Sequence, residues 1–305
     1  MTQDLALYQP PPELDASLLS TRLNPSSLMR YRTYIKEYLT FAVSEGLRVT
    51  QASTLARWSR HLAETTKLSP HTINLRLSII RSLMKAAAEQ GYITWSLYEE
   101  FRHVPGVSVV ALKDRLKPNR RTRISPEQVR QIMALVEKRR TPWKERDLAI
   151  MHTLASSGLR ASTLVALKQE QIVSRDGGFT LVVITKNHIE PIEVPLSHVA
   201  YDAIQNWLAV RREHQDSPYI FTANLSSTKS EHITATRLWQ LVSRYSAQAH
   251  LGHIKPHDWR RFVGTQITRL HGIYVGSKVL GHANIRTTEG YVMDDLEVGL
   301  TDHLY

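Results

Sequence analysis

Between about Pro25 and Glu45 the apolar positions Leu28, Tyr31, Ile35, Tyr38, Leu39 and Ala42 recur every three or four residues. That spacing places them on one face of an α-helix. A shorter stretch, about residues 51–64, repeats the pattern. A third helix opens where Ser69 can cap and Pro70 suits the first turn, and Ile73, Leu77, Ile80 and Met84 run down one of its sides. Nothing in residues 1–104 alternates with the two-residue period of a strand. Residues 24–104 therefore read as a compact helical domain that ends near Val104-Pro105-Gly106. Residues 1–23, with Pro10, Pro11 and Pro12, keep no period and are expected to form a mobile arm.

A second domain, residues 125–305, opens at Ser125-Pro126-Glu127-Gln128, where a cap, a proline in the first turn and a glutamine three residues after the cap coincide. Its helices alternate with one β-hairpin, residues 179–184 against residues 189–195, around the polar turn Lys186-Asn187-His188. The fold class that follows is mostly α with a small β-sheet, an α+β second domain behind an all-helical first one.

Charge changes the picture at one place. The net charge is +11, and residues 1–104 carry 12 basic against 9 acidic side chains, residues 125–305 21 against 18, and residues 105–124 6 against 1. An anionic partner suits such a balance, since nucleic-acid affinity draws on lysine and arginine meeting phosphates. Lys113, Arg115, Lys117, Arg120, Arg121 and Arg123 make residues 105–124 either a solvated linker or a strap along a phosphate backbone. In the first domain Arg30, Arg32, Arg76 and Arg81 are either groove and backbone contacts or solvated faces. The chain has no cysteine, which excludes disulfides, thiolate metal sites and a cysteine nucleophile. No apolar run reaches the roughly 20 residues of a membrane span and the start is not that of a signal peptide, so a cytoplasmic, nucleoid-associated protein is expected.

The candidate chemistry lies in an order of residues. Ser157-Gly158-Leu159-Arg160 ends one helix and starts another, a junction that can aim a guanidinium inward. Lys186 follows at the hairpin tip, then His257-Asp258-Trp259-Arg260, then Leu280-Gly281-His282, and Tyr291 nine residues beyond that histidine. In this order and at these separations the chain resembles the tyrosine recombinase (phage integrase) family. The motifs cover about residues 125–293, and the first domain with its basic linker matches the family's core-binding domain in layout.

The resemblance implies a site-specific DNA recombinase, a two-domain C-shaped clamp that acts as a homo-tetramer on double-stranded DNA with specific core sites. Cleavage would pass through a 3′-phosphotyrosyl link to Tyr291 and a Holliday junction, with accessory proteins or a partner recombinase as further partners. His257 and Arg260, three apart at the start of a helix, point the same way. Arg160 and Arg260 would clamp the non-bridging oxygens of the scissile phosphate and stabilise its growing charge. Lys186 is the candidate acid for the departing 5′ oxygen. His257 and His282 share proton shuttling and phosphate hydrogen bonding, in either assignment. No cofactor and no metal is implied.

The chain departs from the family pattern at Thr163, where many members carry an acidic residue, and at Trp259, often leucine. After Tyr291, the apolar Leu296, Val298, Leu300 and Leu304 dock on a neighbouring protomer or cover their own domain. His250, His253 and His257 have ligand-like spacing, but Gly252 and Pro256 interrupt the helix a zinc site would need. Tyr245, Tyr274 and Tyr305 follow no Leu-Gly-His, and no phosphate-cradling glycine loop marks ATP use. Two other readings share parts of this evidence: a topoisomerase that nicks and relaxes, and a catalytically idle DNA-binding regulator.

Overall fold

The computed structural model describes residues 14–116, 124–141, 143–175, 177–185, 190–212, 217–223, 231–281 and 285–292. The chain divides into two compact units, Met1–Arg120 and Arg121–Tyr305.

The first unit is helical: α1 (Pro25–Ser44), α2 (Ala52–Thr65), α3 (Pro70–Glu89) and α4 (Trp95–His103). Asn24, Ser69 and Thr94 cap α1, α3 and α4 by accepting from backbone N–H groups three residues on. Such caps satisfy donors that a helix start leaves bare. Ile35, Tyr38 and Ala42 of α1, Leu55, Trp58 and Leu62 of α2, Ile73, Leu77, Ile80 and Met84 of α3, and Phe101 of α4 form the core. Tyr38 packs edge-on against Trp58, with ring centres 5.3 Å apart, and donates its hydroxyl to the Val49 carbonyl at 2.9 Å.

Two expectations for this unit are corrected. Residues 14–23 are no mobile arm: a 3-10 turn at Ala16–Leu19 buries Leu14, Ala16, Leu18 and Leu19 in the core, and Arg22 pairs with Glu89. Four apolar groups leaving water outweigh the irregular pattern that the upstream prolines suggest. Residues 1–13 lie outside the described residues. Nor is the start of the basic segment a free linker. Asn74 holds Val107 from both sides, Nδ2 to its carbonyl at 3.0 Å and Oδ1 from its N–H at 2.7 Å. Val107 and Leu112 pack on the core, and Arg115 donates to the Thr66 carbonyl at 2.9 Å.

The second unit contains α5 (Pro126–Glu137), α6 (Lys144–Ser157), α7 (Ala161–Val165), β1 (Ile172–Arg175), β2 (Gly178–Val183), β3 (Ile192–Leu196), α8 (His198–Arg212), α9 (Ala235–Gln248), α10 (Pro256–Leu280) and α11 (Arg286–Val292). The Ser125–Gln128 capping box opens α5, with both reciprocal hydrogen bonds formed. The sheet is an antiparallel meander, β1-β2-β3, whose last β2–β3 pair is Val183↔Ile192. Strand β1 adds to the expected hairpin, and β3 starts three residues later than the pattern suggested. Leu181, Val183, Val194 and Leu196 of the sheet meet α6 and α8 in a core that also takes Trp207, Tyr245 and Trp259. Among the described residues no helix is long and apolar enough to cross a membrane.

Candidate active site

The site grows from the end of α6. Gly158 closes that helix in the left-handed region at φ 58°, where glycine is the favoured residue. A Cβ there would also stand 3.1 Å from Leu280 and Val263, so the position must be small twice over. Released from the helix, Leu159 turns into the core and Arg160 takes an extended conformation at the start of α7, its carbonyl accepting from Thr163 and Leu164. Arg160 Nη1 is buried and has no hydrogen-bond partner among the described residues. A buried donor without an acceptor costs on the order of 1–3 kcal/mol, which an incoming oxyanion would recover.

The second arginine comes from α10, which begins at Pro256 with Asp258 accepting from the Lys255 N–H at 2.9 Å. One turn in, Arg260 is buried, 3% exposed, and donates from Nη1 to the Gly158 carbonyl at 2.8 Å and from Nη2 to the Leu280 carbonyl. It thus joins three chain segments: the end of α6, the start of α10 and the end of α10.

Those two ends of α10 meet because the helix is broken at Gly272 (φ 83°, ψ 163°), a conformation essentially confined to glycine. The second arm packs back on the first. A Cβ at Gly276 would stand 2.2 Å from Thr268 Oγ1 and 3.5 Å from the Gly264 carbonyl, so the arms touch where three small residues face one another. Gly281, at φ 57°, then ends the second arm beside Arg260.

His257 sits in the first turn of α10 and is exposed at its outer edge. Burial of the rest of the ring pushes its pKa below the ordinary value, Arg260 adds to this, and Arg261 and Arg160 push the same way against a smaller opposing pull from Asp258. The neutral imidazole is therefore favoured near neutral pH. The same influences show that Arg160, Arg260 and Arg261 lie within electrostatic reach of one histidine.

Helix α11 packs on α10, and its Thr288 is fully buried. Tyr291 enters by its place near the end of α11. The structure thus brings Arg160, His257 and Arg260 together and places the tyrosine-bearing helix on the same scaffold. Lys186 and His282 lie outside the described residues, as do Lys117, Arg120, Arg121 and Arg123.

The other proposed DNA contacts have partners within the protein. Arg76 pairs with Glu37 at 2.6 Å and lies over the Tyr34 ring, and Arg81 donates to the carbonyls of Phe101 and Val104 at 3.3 and 2.6 Å. Arg115 holds Thr66, as above, and Lys113 is exposed. Arg76 and Arg81 thus contribute to the fold of the first unit and are not freely solvated side chains. Sequence reasoning also passed over Gly272 and Gly276, which fold α10 back on itself; their seat within a helical pattern was the available signal. Among the described residues no group of three or more histidine, aspartate or glutamate side chains could hold a metal ion. His250, at φ 56°, and His253 precede α10 rather than sharing its face with His257.

Residues 122–297 match the phage integrase family. Tyrosine recombinase XerC of Erythrobacter litoralis (strain HTCC2594) is 29% identical over 282 residues, 86% of this chain and 87% of its own length. Tyrosine recombinase XerC of Haemophilus influenzae (strain ATCC 51907 / DSM 11121 / KW20 / Rd) is 30% identical over 234 residues, 75% and 73% of the two lengths. The fold is shared with the Tn1549 transposon integrase in complex with circular intermediate DNA (TM-score 0.65, 15% identity, 92% of this chain and 94% of that one). It is shared too with a lambda integrase dimer bound to a COC′ core site (TM-score 0.62, 16% identity, 93% and 76%). With the family matched over more than half its length, the chain belongs to the phage integrase family and is a tyrosine recombinase.

Proposed function

We propose that the chain cuts and rejoins duplex DNA at specific core sites through a 3′-phosphotyrosyl intermediate on Tyr291, exchanging strands by way of a Holliday junction as a homo-tetramer. The observation that carries this reading is the convergence of Arg160, whose buried Nη1 has no partner among the described residues, on Arg260 and His257 beside the helix that bears Tyr291.

Arg160 holds a non-bridging oxygen of the scissile phosphate, and Arg260, fixed by two carbonyls, adds positive charge beneath it. His257, held neutral, accepts the proton of the tyrosine hydroxyl as its oxygen attacks phosphorus. The P–O5′ bond breaks, and the departing oxygen takes a proton from Lys186. His282 hydrogen-bonds the phosphate. Because the phosphotyrosyl ester keeps the energy of the phosphodiester, attack by a 5′ hydroxyl reverses the step and reseals DNA. The first unit holds the duplex, with Lys113, Lys117, Arg120, Arg121 and Arg123 along the backbone.

The test is covalent trapping: wild type and Tyr291→Phe are incubated with suicide substrates carrying candidate sites from DNA flanking the gene. A denaturation-resistant protein–DNA adduct is expected from wild type alone. An adduct from Tyr291→Phe would remove Tyr291 as nucleophile, and no adduct on DNA that the protein binds would favour the idle regulator. Relaxation of supercoils without need of two cognate sites would favour the topoisomerase.

A further inference from the structure

At the opposite end of α6 from Arg160, a cavity of about 190 Å³ opens in the second unit, with Arg146, Arg237, Gln240 and Arg244 on its polar wall and Ile150, Ile233 and Leu241 among its apolar lining. It is built over a buried acid. Asp147, 1% exposed, accepts from Arg146 Nη2 at 2.9 Å and Nε at 3.2 Å through one oxygen, and from the Tyr245 hydroxyl at 2.5 Å through the other. Arg244 Nη2 stands 3.6 Å from that second oxygen, and Arg139 donates to the Tyr245 hydroxyl at 3.0 Å. Arg146 is further fixed by stacking on Trp143, 4.3 Å from the ring centre.

The buried carboxylate holds two of the guanidinium groups that line the cavity, Arg146 and Arg244, and Arg237 adds a third from α9. Counted with Asp147 beneath them, the three arginines leave a formal surplus of two positive charges. Arg237, Gln240 and Arg244 fall three and four residues apart on α9 and share its exposed face. At about 30 Å³ per water, the space takes about six waters, room for a phosphate group with part of its hydration. Planar guanidinium forks suit phosphate better than they suit chloride or a lone carbonyl.

We propose that this cavity is a second phosphate-binding site, which takes a DNA backbone phosphate other than the scissile one. Arg146 and Ser157 are separated along α6 by about 16 Å, at about 1.5 Å per residue, so one phosphate cannot serve both ends of the helix. The DNA source rests on the function proposed above, whereas the phosphate chemistry stands on the cavity itself.

The experiment measures DNA affinity against salt for wild type, Arg237→Ala, the Arg237→Ala/Arg244→Ala pair, and Arg130→Ala, an exposed control on α5. It also measures binding of inorganic phosphate to each. The exposed Arg237 side chain hydrogen-bonds Gln240 one turn along α9 and makes no ion pair with Asp147, so its alanine variant keeps the fold even where Arg244→Ala disturbs Asp147. The expected result is a salt slope shallower by about 0.9 for the pair, the loss of one phosphate contact. Adduct yield at saturating DNA should be unchanged, with the control at wild-type slope. An unchanged slope for both α9 variants, or an equal fall in the control, overturns the proposal. Inorganic phosphate binding that both variants lose while the DNA slope stays constant makes this a free-phosphate site and overturns the DNA assignment. Wild type that binds DNA but forms no adduct counts against the proposed function and leaves the slope comparison to decide this one.

Discussion

Arg81 in the first unit donates to the carbonyls of Phe101 and Val104 at the end of α4, and Arg260 in the second donates to those of Gly158 and Leu280 at the ends of two helical segments. In both regions a half-buried or buried guanidinium satisfies orphan carbonyls and fixes one chain segment on another. The surroundings differ. At Arg81 the two acceptors complete a joint between α3 and the chain after α4. At Arg260 a second guanidinium, Arg160, brings a buried donor that no described acceptor meets, and His257 feels both arginines. The difference lies in what each joint adjoins: Arg81 stands at a junction of the fold, whereas Arg260 stands beside a guanidinium whose buried donor no described acceptor meets and beside a histidine.

Four substitutions and a pH profile would break or sharpen that contrast. Arg160→Ala should slow single-turnover cleavage at saturating DNA by about 10²–10³-fold, about 3–4 kcal/mol, while thermal melting stays near wild type. A large drop in melting with intact cleavage would make Arg160 another joint. Arg260→Lys should impair both properties, since a lysine cannot bridge the two carbonyls. A loss of about 3 kcal/mol in denaturant titration is expected alongside slow cleavage, and cleavage loss alone would count against the joint. Arg81→Ala should cost about 2 kcal/mol of stability with cleavage at saturating DNA unchanged; a steep loss of DNA affinity at unchanged stability would restore it as a DNA contact. Gly272→Ala, which forces an alanine into a glycine-only conformation, should cost on the order of 1–3 kcal/mol, and a wild-type melt would show that the break in α10 is not required.

The smallest effect concerns pH. A depressed pKa keeps His257 neutral until the pH falls below the ordinary histidine value of about 6.5, so the acid limb of the cleavage rate should lie below that value. The same shift makes its contribution to stability complete above about 6.5 and lost as the pH falls through the folded value. An acid limb at or above 6.5 that persists in His257→Asn would assign the titration to another group.

Much of this was legible in the sequence for reasons that can be named. Ser69-Pro70 and Ser125-Pro126 announce helix starts by chemistry local to four residues, and the faces of α1 and α3 follow from spacing alone. The arginine, histidine and tyrosine positions were legible through their order. What escaped depends on partners remote in sequence. Leu14, Leu18 and Leu19 look like part of an irregular arm until α1 and α3 are folded beneath them. Arg76 and Arg81 read as DNA contacts or solvated faces, with no sign of their internal partners, because Glu37 and the carbonyls of Phe101 and Val104 lie 20 or more residues away. The fold-back of α10 needs Gly276 seated on Thr268; glycines inside a helical pattern hint at a break, but the partner across it is not written locally.

That fold-back sets how the site keeps its dimensions. Arg260 and Leu280 are twenty residues apart along the chain, yet one hydrogen bond joins them, because the distance is measured across a doubled helix. The gauge is the match between the two arms, not their length. A residue inserted at the exposed turn around His271 and Gly272 would be looped out to solvent and leave the spacing intact. One inserted within an arm would rotate Leu280 by about 100° away from Arg260, at 3.6 residues per turn. The turn can therefore lengthen without moving the site, while the arms keep a fixed register.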